Sequence, residues 1–302
     1  MKKLPFILTL ILIFTLMCGC ENGKDADVTD APVTGGTAEL NEPTPYPLII
    51  GGVEIAASPK TVVSLSPSLS EIIFEMGYGS RIIGRGSHCD YPPSVLGLPD
   101  AGSGANPDID KIISLSPDLV LTQTPLSTKD VFRMERAGIR TLVIPACSSL
   151  GGLKDVYRAL GLVFAGMFTG EEAGEEAFSV VSKACDNKEV VNIGKFVYIT
   201  VDLKAATGDT LEDSVFSCFG ENTAKSGVEY EFDLSALSEN HPDIILLNDR
   251  YTVDDILSSE YFEGLEPVIA GRVIYIDNSC FERPSARLAE LIERMIADYR
   301  AL

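Results

Sequence analysis

The chain has 302 residues, 45% of them hydrophobic, which is more than one hydrophobic core usually covers and predicts two domains. Its formal net charge of −20 repels nucleic acid and anionic lipid surfaces, so nucleic-acid partners are excluded. The five cysteines after residue 20 form no CxxC pair, and only His88 and His241 supply imidazole. We therefore expect a protein that needs neither a disulfide nor a bare metal site to fold, and, because its predicted strand sets are apolar and complete, a monomer.

The N-terminus has the features of a secretory signal. Lys2 and Lys3 precede an apolar run that ends at Met17, too short for a comfortable membrane span. The segment Met17–Cys20 resembles the bacterial lipobox, which implies cleavage before Cys20 and lipidation of its thiol. An ordinary signal peptide on a secreted soluble protein is the alternative. We predict a signal at 1–19, then the lipidated cysteine and a flexible acidic linker over 20–47.

Residues 48–150 are predicted to form an N-terminal lobe in which strands alternate with helices, a pattern that indicates a mostly parallel sheet. The strands are expected in a Gly-Gly hairpin at 47–55 and at 61–65, 81–84, 119–121 and 140–144. The helices are expected from Ser68 to Met76 with Ser68 and Glu71 as a capping box, from Asn106 or Asp108 to Leu115, and from Thr128 to Ala137.

A helical spine is predicted over 151–192. Its apolar residues recur at helical spacing, with one break at Thr169-Gly170, where Thr169 can cap a second, longer helix. The sequences on its two sides are related: residues 109–121 and 234–246 both predict a short helix, a Pro-Asp turn and a buried strand, 125 positions apart. Two similar lobes with a ligand cleft between them are therefore expected.

Residues 193–302 are predicted to form the C-terminal lobe. Its strands are expected at 196–201, 244–247 and 272–276, and its helices at 210–219, after a cap at Asp233, and from Pro284 to the C-terminus. Because ligands in open parallel sheets bind beyond the carboxyl ends of the strands, the loops at those ends are the candidate site.

Several motifs occur in an order that resembles a known family. They are Val62–Ser68 with Glu71, Cys89–Pro93, Asp110–Val120, Ala206–Gly208, Gly220–Asn222 and Phe281–Pro284. The chain resembles the substrate-binding lipoproteins of ABC importers for iron chelates and cobalamin, and most of all the cobalamin-binding branch. The resemblance implies an α/β fold of two lobes with mostly parallel sheets joined by a single long helix, the class III periplasmic-binding-protein fold.

The resemblance also implies a function. The protein is expected to be lipid-anchored at the extracytoplasmic face of the membrane and to be no enzyme. It would capture a metal chelate (cobalamin or another corrinoid, a ferric siderophore, or haem) without a cofactor of its own. It would deliver the chelate to an ABC permease dimer with ATPase subunits. A lipoprotein that senses or sequesters ligand without a permease is an alternative. So is an enzyme with Cys89 or Cys280 as nucleophile and His88 or His241 as base.

The candidate ligand contacts lie on these loops. They are Ser66, Ser68, His88, Tyr91, Gln123, Thr207, Gly208, Asn248, Phe281 and Arg283. Arg283 is expected to pair with a carboxylate, phosphate or amide oxygen of the ligand, or else with a neighbouring acid. His88 is either an axial ligand to haem iron or cobalt or a solvated loop residue. The chain has no Trp, although members of the cobalamin branch often clamp the corrin with one.

Family members present one acidic residue on the outer edge of each lobe to the permease. In the first lobe the matching residue is Asp110. The repeat carries Asp110 onto Ser235, so Asp233, or failing that Glu231, is predicted to supply the second charge. A helix cap at Asp233 and a solvated acid at Asp110 are the alternative.

Overall fold

The computed structural model describes residues 44–186 and 191–302, which belong to one compact unit that begins at Pro43. The predicted signal, Cys20 and nearly all of the predicted linker lie outside the described residues. The strands are β1 (Leu48–Ile50), β2 (Val53–Ile55), β3 (Val62–Ser64), β4 (Ile82–Arg85), β5 (Leu119–Thr122), β6 (Arg140–Val143), β7 (Gly194–Ile199), β8 (Gly220–Asn222), β9 (Ile244–Asn248) and β10 (Val273–Ile276).

The helices follow the strands in alternation, as predicted. They are α1 (Pro67–Glu75), α2 (Ile109–Leu115), α3 (Thr128–Arg136), α4 (Leu150–Cys185), α5 (Leu211–Phe216), α6 (Leu237–Asn240), α7 (Val253–Leu257), α8 (Glu266–Ile269), α9 (Ser279–Glu282) and α10 (Arg287–Ala301). Asp108 and Thr210 cap α2 and α5 with their side chains, as their positions predicted.

Two four-stranded parallel sheets with the same strand order precede and follow α4 in the chain. The first has the order β4-β3-β5-β6 and the second β8-β7-β9-β10, while β1 and β2 form a separate antiparallel hairpin. The inner strands β5 and β9 are buried along their whole length, as in sheets covered on both faces. The predicted fold class, two lobes with parallel sheets joined through a long helix, is confirmed.

The turn before the inner strand of each lobe is built in the same way. Ser116 and His241, 125 positions apart, each end a helix with a positive φ, of 49° and 47°. Asp118 and Asp243, two residues further on, each accept a backbone N–H from the neighbouring segment, at 2.9 and 2.7 Å. The sequence repeat is therefore a structural repeat, and His241 is a turn residue equivalent to Ser116.

Helix α4 is bent back on itself. Gly166 has φ 79° and ψ −177°, far from helical values, and the segments on its two sides pack against each other. A Cβ placed on Gly161 would lie 1.9 Å from the carbonyl oxygen of Gly170, and one placed on Gly174 would lie 2.5 Å from that of Tyr157. Glycine is therefore required where the two backbones approach each other.

The predicted joint at Thr169-Gly170 is wrong in position. The bend lies three residues earlier, at Gly166, because its positive φ is readily adopted only by glycine. Thr169 caps no helix, since its hydroxyl donates to the carbonyl of Ala165 at 3.2 Å, a bond typical of a threonine inside a helix.

Two predicted helix starts also differ. Helix α1 begins at Pro67 with Ser66 as N-cap, so Ser68 and Glu71 form no capping box. Their side chains bond instead to the segment 284–285 of the other lobe. Helix α10 begins at Arg287 rather than at Pro284, because the intervening residues turn to meet α1.

Two strands of the second sheet, β7 and β8, differ from the prediction. Strand β7 ends at Ile199 rather than at 201, because residues 201–203 form a 3-10 turn with positive φ at Asp202 and Leu203. Strand β8 was not predicted. It is only three residues long, and the pattern Gly-Glu-Asn has little strand propensity.

The largest hydrophobic core crosses both lobes. It contains α1 and β3 residues of the first lobe, the inner face of α4, and β7, α5 and α10 residues of the second. Each lobe has in addition a smaller core of its own on the other face of its sheet. Burial of one continuous apolar surface across the lobes restricts their relative movement.

Candidate ligand-binding site

A cavity of about 240 Å³ lies at the carboxyl ends of the first sheet, and we call it the N-lobe cavity. Its lining residues follow β3, β4 and β5: Leu65, Ser66, Pro67, His88, Ser103, Gly104, Ala105, Thr122, Gln123 and Thr124. Ser66 donates its hydroxyl proton to Gln123 Oε1, which ties the loop after β3 to the end of β5. Three predicted contacts, Ser66, His88 and Gln123, therefore line one cavity.

A second cavity, of about 290 Å³, lies at the carboxyl ends of the other sheet, and we call it the C-lobe cavity. Its lining residues are Thr200, Val201, Lys204, Glu212, Tyr230, Asn278, Phe281 and Glu282. Phe281 is the one predicted contact among them. Its ring packs on the buried Tyr198 and Phe216 rings, with centroids 5.9 and 5.4 Å away, so its orientation is held by the core.

A buried carboxylate lies in the C-lobe cavity. The hydroxyl of Tyr230 is 3.1 Å from both oxygens of Glu212. Burial raises the pKa of Glu212, and the Tyr230 hydroxyl partly opposes that shift. The pKa of Tyr230 is raised as well, first by its own burial and then by the nearby carboxylate. Lys204 donates to Glu231 at 2.5 Å.

The lobes are joined beside these cavities by contacts of the segment 283–287. Arg283 forms an ion pair with Asp90 of the N-terminal lobe, and Ser68 donates to the carbonyl of Pro284 at 2.6 Å. Arg283 thus has the neighbouring acid that was its alternative partner.

Two glutamates of α1 complete this connection, which we call the interlobe seam (Glu71, Glu75 and residues 284–287). Glu71, only 1% exposed, accepts from Ser285 at 2.6 Å and lies 3.5 Å from an Arg287 nitrogen. Glu75 accepts from the Tyr157 hydroxyl at 2.5 Å and from the Ala286 backbone at 3.0 Å. Burial is the main cause that raises the pKa of both carboxyls.

The other predicted contacts do not line either cavity. Ser68 donates to Pro284 of the interlobe seam. The Thr207 hydroxyl is buried, where it donates to Asp209 at 2.6 Å and accepts from the Tyr230 backbone. Asn248 is 0% exposed, and its Nδ2 has no hydrogen-bond partner among the described residues. Gly208 is exposed, with its backbone against Lys225.

Tyr91 lies at a different opening. The Arg287 guanidinium is 5.1 Å from the centre of its ring, and the two line a groove of about 590 Å³ along α10. That groove contains Asp277, Cys280 and several charged residues of α10, but no residue of the two cavities described above. Tyr91 is therefore separated from His88 although only three positions divide them.

Most polar residues of the C-lobe cavity were missed in the sequence. Asn278 could have been found, since it follows the carboxyl end of a predicted strand, whereas Thr200 was placed inside the predicted strand 196–201, which ends at Ile199. Glu212 and Tyr230 could not, because nothing in their spacing, 18 positions apart, indicates that they meet.

The thiols are poorly suited to nucleophilic catalysis. Burial raises the pKa of Cys89, whose sulfur accepts from Ser70, and raises that of Cys280 to about 11, so little thiolate forms at neutral pH. His241 belongs to a helix-ending turn. Within the described ranges there is no group of three potential metal ligands. In the same ranges no helix is long and apolar enough to cross a membrane.

Two equivalent parallel-sheet lobes with polar cavities at their strand ends define a two-lobed binding protein. The chain belongs to the periplasmic binding protein family, whose model matches residues 62–280. It is an extracytoplasmic binding component by family, and the family is one of transport proteins rather than enzymes.

Similar proteins agree with that assignment. The chain is 25% identical to YvrC, an uncharacterized ABC transporter substrate-binding lipoprotein of Bacillus subtilis (strain 168), over 97% of this chain and 96% of the relative. Its fold matches the periplasmic vitamin B12 binding protein BtuF of Vibrio cholerae, with TM-score 0.60, 20% identity and coverage of 81% and 98% of the two chains. It also matches the periplasmic haem-binding protein RhuT of Roseiflexus sp. RS-1, with TM-score 0.61, 22% identity and coverage of 80% and 98%.

Proposed function

We propose that this protein is the solute-binding component of an ABC importer and captures a metal chelate between its lobes. The chelate is a corrinoid such as cobalamin, a ferric siderophore or haem. The observation that carries the proposal is the pair of cavities at the carboxyl strand ends of two lobes with the same strand order. The names of two structural neighbours, a vitamin B12 binding protein and a haem-binding protein, support the ligand class, and the name of YvrC supports the role in an ABC transporter.

The arrangement suits a broad, partly apolar ligand. One face offers hydroxyl and amide groups and the His88 imidazole, and the other offers the Phe281 ring supported by two buried aromatic rings. Ligand sites commonly combine apolar walls with a few convergent polar groups in this way. His88 is exposed at the N-lobe cavity, from which it can reach a ligand metal.

Attachment to the membrane is part of the proposal. Lipidation of Cys20 would anchor the protein, and residues 20–47 would link the anchor to the lobes. The proposed lobes are 48–150 and 193–302, with the spine 151–192 between them. The fit of Cys20 to a lipobox and the lipoprotein name of YvrC support the anchor.

The test is to offer cobalamin, haem and a ferric siderophore to the purified protein, remove the unbound fraction, and record the absorbance spectrum and mass of what remains. We expect one of the three to be retained, and His88→Ala, Phe281→Ala and Arg283→Ala to weaken its retention. Phe132→Ala, which removes an exposed ring on α3, is the control. If none of the three chelates is retained, the proposed function is wrong. If the three variants retain the chelate like the unchanged protein, the site is misplaced.

A further inference from the structure

The N-lobe cavity is lined by uncharged groups. Ser66, Ser103, Thr122, Thr124 and Gln123 supply hydroxyls and an amide, and His88 is the only titratable side chain among its lining residues. Such groups donate hydrogen bonds to neutral polar partners and accept hydrogen bonds from them. They offer no formal positive charge to a carboxylate or a phenolate, other than a protonated His88.

The C-lobe cavity is acidic. Its lining includes the carboxyl groups of Glu212 and Glu282 and one cation, Lys204. Lys204 is already paired with Glu231, at 2.5 Å. A negatively charged ligand group in this cavity would therefore meet the Glu212 carboxyl group and two ion pairs, Lys204–Glu231 and Arg250–Glu282, in which each positive charge is already compensated.

The arginines beside the cavities are also paired. Arg283 forms its ion pair with Asp90, and Arg250 is 3.1 Å from Glu282. Within the part of the chain that the structure describes, no unpaired arginine or lysine lines either cavity. Recognition of carboxylates and phosphates normally relies on such a group, above all on arginine.

From these contacts, and resting on the proposed function, we propose that the site selects chelates with an uncharged, amide-rich periphery and discriminates against chelates with anionic side groups. The chemistry that fits is that of an amide-bearing corrinoid. Haem with its two propionates and ferric tris-catecholates with their net negative charge do not fit. Hydroxyls and Gln123 on one face would bond to ligand amides, and the carboxylates on the other would accept from amide N–H groups.

A matched pair of ligands tests this proposal. Cobinamide carries amide side chains, and cobyrinic acid has the same ring with carboxylates in their place. Titration of the protein followed by visible absorbance should show that the amide form binds on the order of tenfold more tightly or better, because repulsion between like charges a few ångströms apart at a protein surface is of at least that size. Haem and haem dimethyl ester form a second pair, in which the ester should bind more tightly.

Variants identify the charges responsible. Glu212→Gln and Glu282→Gln should each narrow the difference in affinity between amide and carboxylate corrinoid severalfold, because the first removes a carboxyl group of the cavity and the second leaves Arg250 without its carboxylate partner. Glu263→Gln removes one charge from an exposed position between α7 and α8, so it has the same effect on net charge and should leave the difference unchanged.

The outcomes separate the two proposals. Carboxylate corrinoid or haem that binds as tightly as its amide or ester partner overturns the charge selection and leaves the transport role standing. An equal effect of Glu263→Gln and the two cavity variants also overturns it, because only overall charge would then matter. Failure of every chelate to bind overturns the proposed function itself.

Discussion

Phe281 serves two roles at the C-lobe cavity. Its ring contacts Tyr198 and Phe216 in the core, and its free side lines the cavity. An aromatic ring so supported presents a flat apolar surface at little cost in conformational entropy. A leucine at this position would keep much of the packing and lose the flat face, so the two roles can be separated.

We expect Phe281→Ala and Phe281→Leu both to weaken chelate binding, by roughly two- to twelvefold if the ring contributes the 0.5–1.5 kcal/mol typical of an aromatic contact. Only the alanine variant should also lower the free energy of unfolding clearly. Binding titration and urea unfolding measure the two effects. Unchanged binding in both variants would mean that the ligand does not lie against this ring.

At the scale of elements, the hairpin formed by α4 depends on glycines. The segments before and after Gly166 approach so closely that Gly161, Gly170 and Gly174 face backbone atoms rather than side chains. Backbone atoms cannot rotate away as a flexible side chain can. An added methyl group must therefore push the segments apart.

Gly161→Ala is expected to destabilise the protein by roughly 1–3 kcal/mol, the usual result of overpacking, despite the higher helix propensity of alanine. Gly151→Ala is the matched control. It lies in the same helix, and its new Cβ would meet only the Ser149 hydroxyl oxygen at 3.9 Å. Urea unfolding compares the two. Equal stability of both variants would show that the hairpin can open without loss.

The interlobe seam contains two carboxyl groups of α1 whose protonation makes the stability of the protein depend on pH. Burial raises the pKa of Glu71 and Glu75 above the ordinary 4.5, with Arg287 opposing the shift at Glu71 and Glu290 adding to it at Glu75. A raised folded-state pKa means that the folded protein keeps protons that the unfolded chain has released. Stability from these groups is present below pH 4.5 and is lost as pH rises through the raised values.

Glu75→Gln removes one of these carboxyl groups, so the variant should lose less stability than the unchanged protein as pH rises. We expect the stability of the variant relative to the unchanged protein to improve as pH rises above 4.5, as linkage requires. Glu293→Gln, an exposed acid on α10, should show no such trend. The free energies of unfolding of both variants and of the unchanged protein, measured below and above pH 4.5, test this prediction. A parallel pH dependence of Glu75→Gln and the unchanged protein would contradict the role given to this carboxyl group.

At the scale of the whole molecule, the structure describes the acids that were predicted to dock each lobe to a permease. The side chain of Asp110 is 85% exposed, with Arg133 beside it. Asp233 is the repeat counterpart of Asp108 rather than of Asp110, and it caps a 3-10 helix by accepting from the Ser235 backbone at 3.0 Å. Glu231 forms an ion pair with Lys204, as Asp110 does with Arg133, and it lies four positions before Ser235, the repeat counterpart of Asp110.

The docking prediction can be tested with variants that remove the negative charge of an acid but keep its ability to cap a helix. Asp110→Asn and Asp233→Asn remove the charges, and asparagine retains the capping ability at 233. If these acids meet basic pockets on a permease, each variant should slow association and weaken its salt dependence, with chelate affinity unchanged. Association with the permease in membranes or nanodiscs provides the measurement. Normal association of the double variant would leave Asp233 as a cap and Asp110 as a solvated acid.

Local sequence was sufficient to predict much of the framework. The alternation of apolar runs predicted the two parallel sheets, and the pair of Pro-Asp turns predicted the structural repeat, because both features depend on neighbours in the chain. The caps at Asp108 and Thr210 were predictable for the same reason. Ser66, His88, Gln123 and Phe281 were found because they follow the ends of such strands.

Tertiary structure decided what distant residues do together. Ser68 and Glu71 have capping-box spacing, yet they bond to Pro284 and Ser285, more than two hundred positions away. The bend at Gly166 rather than at Thr169 depends on which backbone segments approach each other. Glu212 joins the site only through folding. Such pairings leave no period or spacing in the sequence, because the energy of a buried contact depends on the partner that the fold places beside it.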